Sequence, residues 1–146
     1  MLNAVFLDRD GVLNAITVRD GVPYPPDSAA DFVLLSGVVE ACSSLRKAGF
    51  MLIVVTNQPD VARGTQTRAE VEAINQRVTD ALPIQAVMTC YHDSADNCDC
   101  RKPKPGLILQ AAQQWNIDLA ASFIVGDRWS DIAAGQAAGC RTVFIS

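Results

Sequence analysis

Five short apolar runs, at residues 4–7, 51–55, 85–88, 122–125 and 142–145, alternate along this chain with helical stripes. Each run is apolar at consecutive positions, so the strand it forms must be buried on both faces. Doubly buried strands belong to parallel sheets, and each parallel pair needs a long crossover, which the intervening helices supply. Val38, Cys42 and Leu45 keep helical spacing and stop at Gly49, while Val71, Ile74, Val78 and Leu82 follow a capping box, Thr67 to Glu70. Ile108, Ala111, Ala112 and Trp115 form a third stripe after Pro105, and an alanine-rich segment between Trp129 and Gly139 forms the fourth. The order predicts an α/β fold: a three-layer, Rossmann-like parallel sheet with helices on both faces. With 146 residues the chain has the length of one domain, spanning 1–146. Residues 14–35, rich in Pro, Asp and Gly, read as a long irregular loop, and such loops often carry function.

Charge narrows the partners. A net charge of −4 and a pI near 4.8 argue against general affinity for nucleic acid or anionic membranes, because phosphate attracts basic surfaces. A bound phosphate would have to meet local positive charge. The N-terminal apolar run is broken by Asp8, short of a secretory core, and no segment approaches the roughly 20 apolar residues of a membrane span. A soluble, cytoplasmic protein is expected, with a monomer favoured. Its five cysteines are an odd number, which a disulfide framework does not explain.

In an open parallel sheet, ligands gather beyond the carboxyl ends of the strands. Asp8-Arg9-Asp10 follows the first run, Thr56-Asn57-Gln58 the second, a Cys/His cluster with Arg101-Lys102 the third, and Gly126-Asp127 the fourth. Phosphoryl transfer needs a nucleophile, a metal to neutralise charge, donors for the phosphoryl oxygens and a proton donor for the leaving group. The residues gathered at this edge include a candidate for each part. The chain's single histidine, His92, and Cys90, Cys98 and Cys100 lie within eleven residues, as two pairs of spacing two. Such a Cys3His set suits a closed, tetrahedral structural zinc site. Cys42 and Cys140 read as small core residues.

The segments "DRDGVLN", "VVTNQ", "CRKPKPG" and "VGDRWSDI" resemble the four ordered motifs of the haloacid dehalogenase superfamily of phosphatases. "TNQPDVARG" and "CYHDSADNCDCRKP" are similar to the branch that contains D-glycero-D-manno-heptose 1,7-bisphosphate phosphatase and the histidinol-phosphatase domain. The resemblance implies a fold of that superfamily, with no room between motifs for a separate cap domain, and with a zinc-binding loop. It implies that Asp8 is the nucleophile and Asp10 the general acid and base. Magnesium would be held by Asp8, the backbone carbonyl of Asp10 and Asp127, a small oxygen set that leaves several positions to water. Thr56 and Lys102 would bind the transferring phosphoryl group. Asn57, Gln58, Arg63, Arg101 and Arg128 would touch the substrate, Lys104 reads as an ordinary solvated lysine, and Asp131 holds a metal-bound water or caps a helix.

The implied activity is magnesium-dependent hydrolysis of a small phosphorylated metabolite through an aspartyl-phosphate, with the 7-phosphate of the heptose bisphosphate as the preferred target. Histidinol phosphate is the alternative substrate: a cationic molecule would call for carboxylates, which Asp20, Asp27, Asp31 and Asp60 offer. Pro59-Asp60 stands where the heptose branch usually carries Ser-Gly. A third reading is a catalytically silent module whose zinc loop contacts a partner; the acidic balance and the lack of a basic, aromatic-laced strip count against a nucleic-acid partner.

Overall fold

The computed structural model describes residues 1–145. In chain order its elements are β1 (Ala4–Leu7), β2 (Thr17–Arg19), β3 (Val22–Tyr24), α1 (Val38–Lys47), β4 (Met51–Asn57), α2 (Arg68–Ala81), β5 (Ala86–Cys90), α3 (Gly106–Trp115), β6 (Phe123–Gly126), α4 (Trp129–Ala138) and β7 (Arg141–Phe144). The doubly apolar runs pair as expected, in a five-stranded sheet of order β5-β4-β1-β6-β7 with every pairing parallel. Phe6 lies opposite Ile53 on one side and Ile124 on the other.

Strand alternation then divides the core between two faces. Ala4, Phe6, Ile53, Val55 and Ile124 pack with Leu107, Ile108 and Ala111 of α3 and Ala134 of α4. Val5, Leu7, Leu52 and Val54 pack with Cys42 of α1 and Ile74 and Val78 of α2. Helices therefore cover both sides of the sheet, which is the expected three-layer arrangement. Cys42 and Cys140 are buried among these apolar residues. The α2 capping box is formed, with the Thr67 hydroxyl accepting from the Glu70 N–H at 3.1 Å and the Glu70 carboxylate from the Thr67 N–H at 2.8 Å.

Three readings of local structure need correction. The fifth apolar run is not buried on both faces: β7 is largely exposed, with Val143 and Phe144 open to solvent, because it is an outermost strand of the sheet. Residues 14–35 contain an antiparallel hairpin, β2 with β3, and a 3-10 turn at Ala29–Asp31, rather than an irregular loop throughout. The hairpin closes on Asp20-Gly21, both at positive φ (53° and 77°), as a two-residue turn matched to strand twist requires. The strand of the second apolar run, β4, extends past residue 55 to Asn57, because its ladder with β5 continues through Thr56 opposite Thr89 and Asn57 opposite Cys90.

β1 lies between strands reached by crossovers in opposite directions, so its carboxyl end is the switch point of the sheet, where a crevice opens. No helix among the described residues is long and apolar enough to cross a membrane.

Candidate active site and zinc centre

Asp8 sits at that switch point, its N–H still in the ladder to the Val125 carbonyl (3.1 Å) and its side chain buried. The oxygens of Asp8, Asp127 and Asp131 converge within 4.8 Å of one another, although they come from β1, the end of β6 and α4. Two glycines permit this crowding. A Cβ on Gly11, which also holds φ +86°, would drive into the Asp127 carboxylate, and one on Gly126 into the Asp131 side chain.

Lys102 is the counter-charge. Its buried ammonium donates to Asp8 Oδ1 (3.0 Å), Asp131 Oδ1 (2.6 Å) and the Val55 carbonyl (2.8 Å). Burial works against that charge, but Asp8 and Asp131 outweigh it and hold the Lys102 pKa above the ordinary lysine range. Burial is also the main influence on Asp8: together with the nearby Asp131 and Asp10 it overcomes the pull of Lys102, and the Asp8 carboxyl is pushed up to about 6. Asp131 is thus committed to Lys102, and its Oδ2 accepts the Arg128 N–H at 3.2 Å at the start of α4.

Asp127 differs from the other two carboxylates: its Oδ1 is buried and has no hydrogen-bond partner. A buried, unpartnered carboxylate oxygen is costly in a metal-free setting and natural for a metal ligand. Asp8 and Asp127, with hard oxygen donors in a crevice open to water, fit a magnesium ion.

Thr56 is buried at the end of β4, where its hydroxyl accepts a hydrogen bond from Gln58 Nε2 (2.9 Å), leaving its own proton for an incoming oxygen. Gln58, expected against the substrate, is 1% exposed; its amide nitrogen serves Thr56 and Asp10 Oδ2 (2.8 Å), so its role is to orient those groups. Asn57 pairs with the Lys102 backbone in both directions, accepting its N–H (3.0 Å) and donating to its carbonyl (3.2 Å). Asn57 therefore fixes the segment that delivers Lys102.

Outside Asp10 opens a cleft of about 290 Å³, walled by Asn57, Arg101 and Arg128 on the sheet side and by Pro23 and Tyr24 of the hairpin. The Arg101 and Arg128 guanidinium groups have no carboxylate partner among the described residues. Arg63 lines the same cleft, but its guanidinium is forked onto Asp93 (2.9 and 3.1 Å) and lies 3.8 Å from Asp60. It is a strut between the loop after β4 and the Cys/His loop rather than the free charge that sequence led us to expect.

Cys90, His92, Cys98 and Cys100 converge within 4.8 Å. Ligands about 2.3 Å from a tetrahedral zinc lie roughly 3.8 Å apart. Cys98 is 3.7 Å from both Cys90 and Cys100, and His92 Nδ1 lies 3.4 and 3.3 Å from Cys90 and Cys100, while the Cys90–Cys100 edge is shorter, at 2.8 Å. Burial opposes ionisation of Cys98, but N–H groups of Arg101 and Cys100 aimed at the sulfur hold its thiol down to about 7. The set fits zinc, and Arg101 and Lys102 follow its last ligand directly. Lys104 Nζ donates to the Cys98 carbonyl within this loop.

Arg9, Asn14 and Asn75 belong to the site and were given no role from sequence. All three meet Asp10 or its partners. The only signal was a basic residue set between two aspartates, and which way its side chain turns is a matter of tertiary packing.

A family model described as HAD-hydrolase-like matches residues 99–146. The chain is 36% identical to the D-glycero-beta-D-manno-heptose-1,7-bisphosphate 7-phosphatase of Yersinia pestis, over 95% of this chain and 77% of the relative. To the Escherichia coli K12 protein of the same name it is 38% identical, over 95% and 76%. Among solved structures it is similar to the D,D-heptose 1,7-bisphosphate phosphatase of B. bronchiseptica complexed with magnesium and phosphate, at TM-score 0.83 and 32% identity over 97% of this chain and 79% of that one.

Proposed function

The chain belongs to the haloacid dehalogenase-like phosphatases, in the branch of the heptose bisphosphate phosphatases, and from that footing we propose that it hydrolyses the 7-phosphate of D-glycero-D-manno-heptose 1,7-bisphosphate through an aspartyl-phosphate on Asp8. The observation that carries the substrate is the pair of guanidinium groups, Arg101 and Arg128, that face the cleft without carboxylate partners. They suit a second anionic group held away from the reacting one. Three of the four carboxylates that histidinol phosphate would want are engaged, Asp27 with Arg19, Asp60 with Arg63, and Asp31 with the Ser28 hydroxyl, which leaves Asp20 alone for a cationic substrate.

In the first half of the reaction an Asp8 oxygen attacks phosphorus, the bond from phosphorus to the sugar oxygen breaks, and Asp10 gives that oxygen its proton. Lys102, seated on Asp131 and Val55, keeps positive charge beside the attacking oxygen, and the Thr56 hydroxyl donates to a phosphoryl oxygen. In the second half water attacks the phosphoryl group, Asp10 takes a proton from it, and Asp8 is released. Asp8, Asp127 and the Asp10 carbonyl would hold magnesium, which supplies charge neutralisation of the phosphoryl oxygens. Cys90, His92, Cys98 and Cys100 would hold zinc in a structural role. None of the five cysteines is in a disulfide, which suits a reducing compartment and supports the reading of a cytoplasmic enzyme.

The test is phosphate release, with magnesium, from both heptose bisphosphate anomers, histidinol phosphate and an aryl phosphate. Arg101→Ala should lower kcat/KM on the bisphosphate by roughly 1.5–3 kcal/mol of transition-state binding, about one to two decades, and less on the aryl phosphate. An equal loss on both, or a wild-type preference for histidinol phosphate, overturns the substrate.

A further inference from the structure

Arg9 is 0% exposed, and a guanidinium cannot shed its charge to suit such a place. It lies between the nucleophile and Asp10 in sequence, yet it does not line the cleft. Its Nε and Nη2 fork onto the two oxygens of Asp10 at 3.0 and 3.2 Å. Its Nη1 donates to Asn75 Oδ1 on α2 at 2.9 Å, and Asn75 in turn donates to Thr89 Oγ1 on β5 at 3.2 Å. Arg9 thus runs from the middle of the sheet's switch point to a helix and a strand on its flank.

Asp10 receives two further donors, Asn14 Nδ2 on Oδ1 (3.0 Å) and Gln58 Nε2 on Oδ2 (2.8 Å). A carboxylate offers about four acceptor directions, so its capacity is filled and its orientation fixed. Chemistry at the leaving oxygen must displace one of these donors. The guanidinium fork is charge-assisted and bidentate, whereas the two amides are neutral and single, so an amide yields and the fork stays.

Resting on the reading of Asp10 as the general acid, we propose that Arg9 is a positioning residue that holds the Asp10 carboxyl against the leaving-group oxygen, with Asn75 as its anchor. A buried ion pair that merely supports folding would leave no mark on the chemistry. A positioning residue leaves a specific one, because proton donation matters for a poor leaving group, an alkoxide, and little for 4-nitrophenolate.

The experiment compares kcat/KM for an alkyl phosphate, the heptose bisphosphate in the first instance, with that for 4-nitrophenyl phosphate. Because kcat/KM reports only steps through loss of the leaving group, the later hydrolysis of the aspartyl-phosphate does not enter. Arg9→Met should lose about 10- to 100-fold on the alkyl phosphate and no more than about 3-fold on the aryl phosphate, with KM for the alkyl phosphate little changed. Arg9→Lys should recover part of the loss, since it keeps the charge and one of the two bonds. Asp10→Asn is the control and should show the same split, larger. An equal loss on both substrates in Arg9→Met, with the split present in Asp10→Asn, overturns the proposal. A control that shows no split overturns instead the assignment of Asp10. If circular dichroism shows Arg9→Met unfolded, Asn75→Ala is measured in its place: a smaller split of the same sense is expected, and a flat loss overturns the role of Arg9.

Discussion

Gly11 sets the tightest tolerance in the site, since any side chain there meets the Asp127 carboxylate and the backbone already holds φ +86°. Gly11→Ala should therefore fold with reduced stability, need a higher magnesium concentration for half-maximal activity and lose at least about 10-fold in turnover. A magnesium titration of activity checks it. Asp8 gives a second test at the same scale. Its carboxyl is pushed up to about 6 from an ordinary 3.8, chiefly by burial. The folded chain thus keeps a proton that the unfolded chain gives up, and in magnesium-free buffer stability falls as pH rises from about 4 to about 6. Asp8→Asn removes that ionisation. Its melting temperature should exceed that of wild type at neutral pH without magnesium and converge with it near pH 4, while turnover falls by more than about 100-fold. A variant that melts below wild type at neutral pH contradicts the account of Asp8.

Among the elements, the Cys/His loop bears on activity through the residues that follow it. It ends on Cys100, and the next two residues are Arg101 and Lys102. Asn57 grips the Lys102 backbone from β4, and the Arg63–Asp93 fork ties the loop to the segment after β4. Cys98→Ala or Cys100→Ala should lose about one zinc per chain by elemental analysis and lower activity by loosening Lys102, with a smaller effect on the melting of the sheet. Normal activity in protein free of zinc would sink this link. The helices were legible because their ends are written locally: Thr67 and Glu70 close α2 in a capping box, as their spacing announces. The hairpin was not. Its cue, Asp20-Gly21 between Val18 and Val22, was present, but the surrounding prolines and aspartates drew the reading to a loop. Its strands are largely exposed, so no apolar alternation marked them.

For the molecule as a whole, β1 carries both the core and the chemistry. Phe6 is 0% exposed and packs on the face that α3 and α4 cover, two residues before Asp8, the proposed nucleophile. Phe6→Ala should cost about 3–5 kcal/mol in urea unfolding, and activity should fall with it as the strand end shifts. The sequence alone determined the α/β order, the buried central strands β1 and β4, the carboxyl edge and the Cys3His set, since each is carried by local spacing and by the hydrophobicity of consecutive residues. Only the tertiary structure decided what each charge does. It tied Arg63 to Asp93 and left Arg101 and Arg128 facing the cleft. It set Asp131 under Lys102 and buried Arg9 behind Asp10. The physical reason is that a long charged side chain selects its partner from whatever packing brings within about 3 Å, and that depends on elements far apart in the chain.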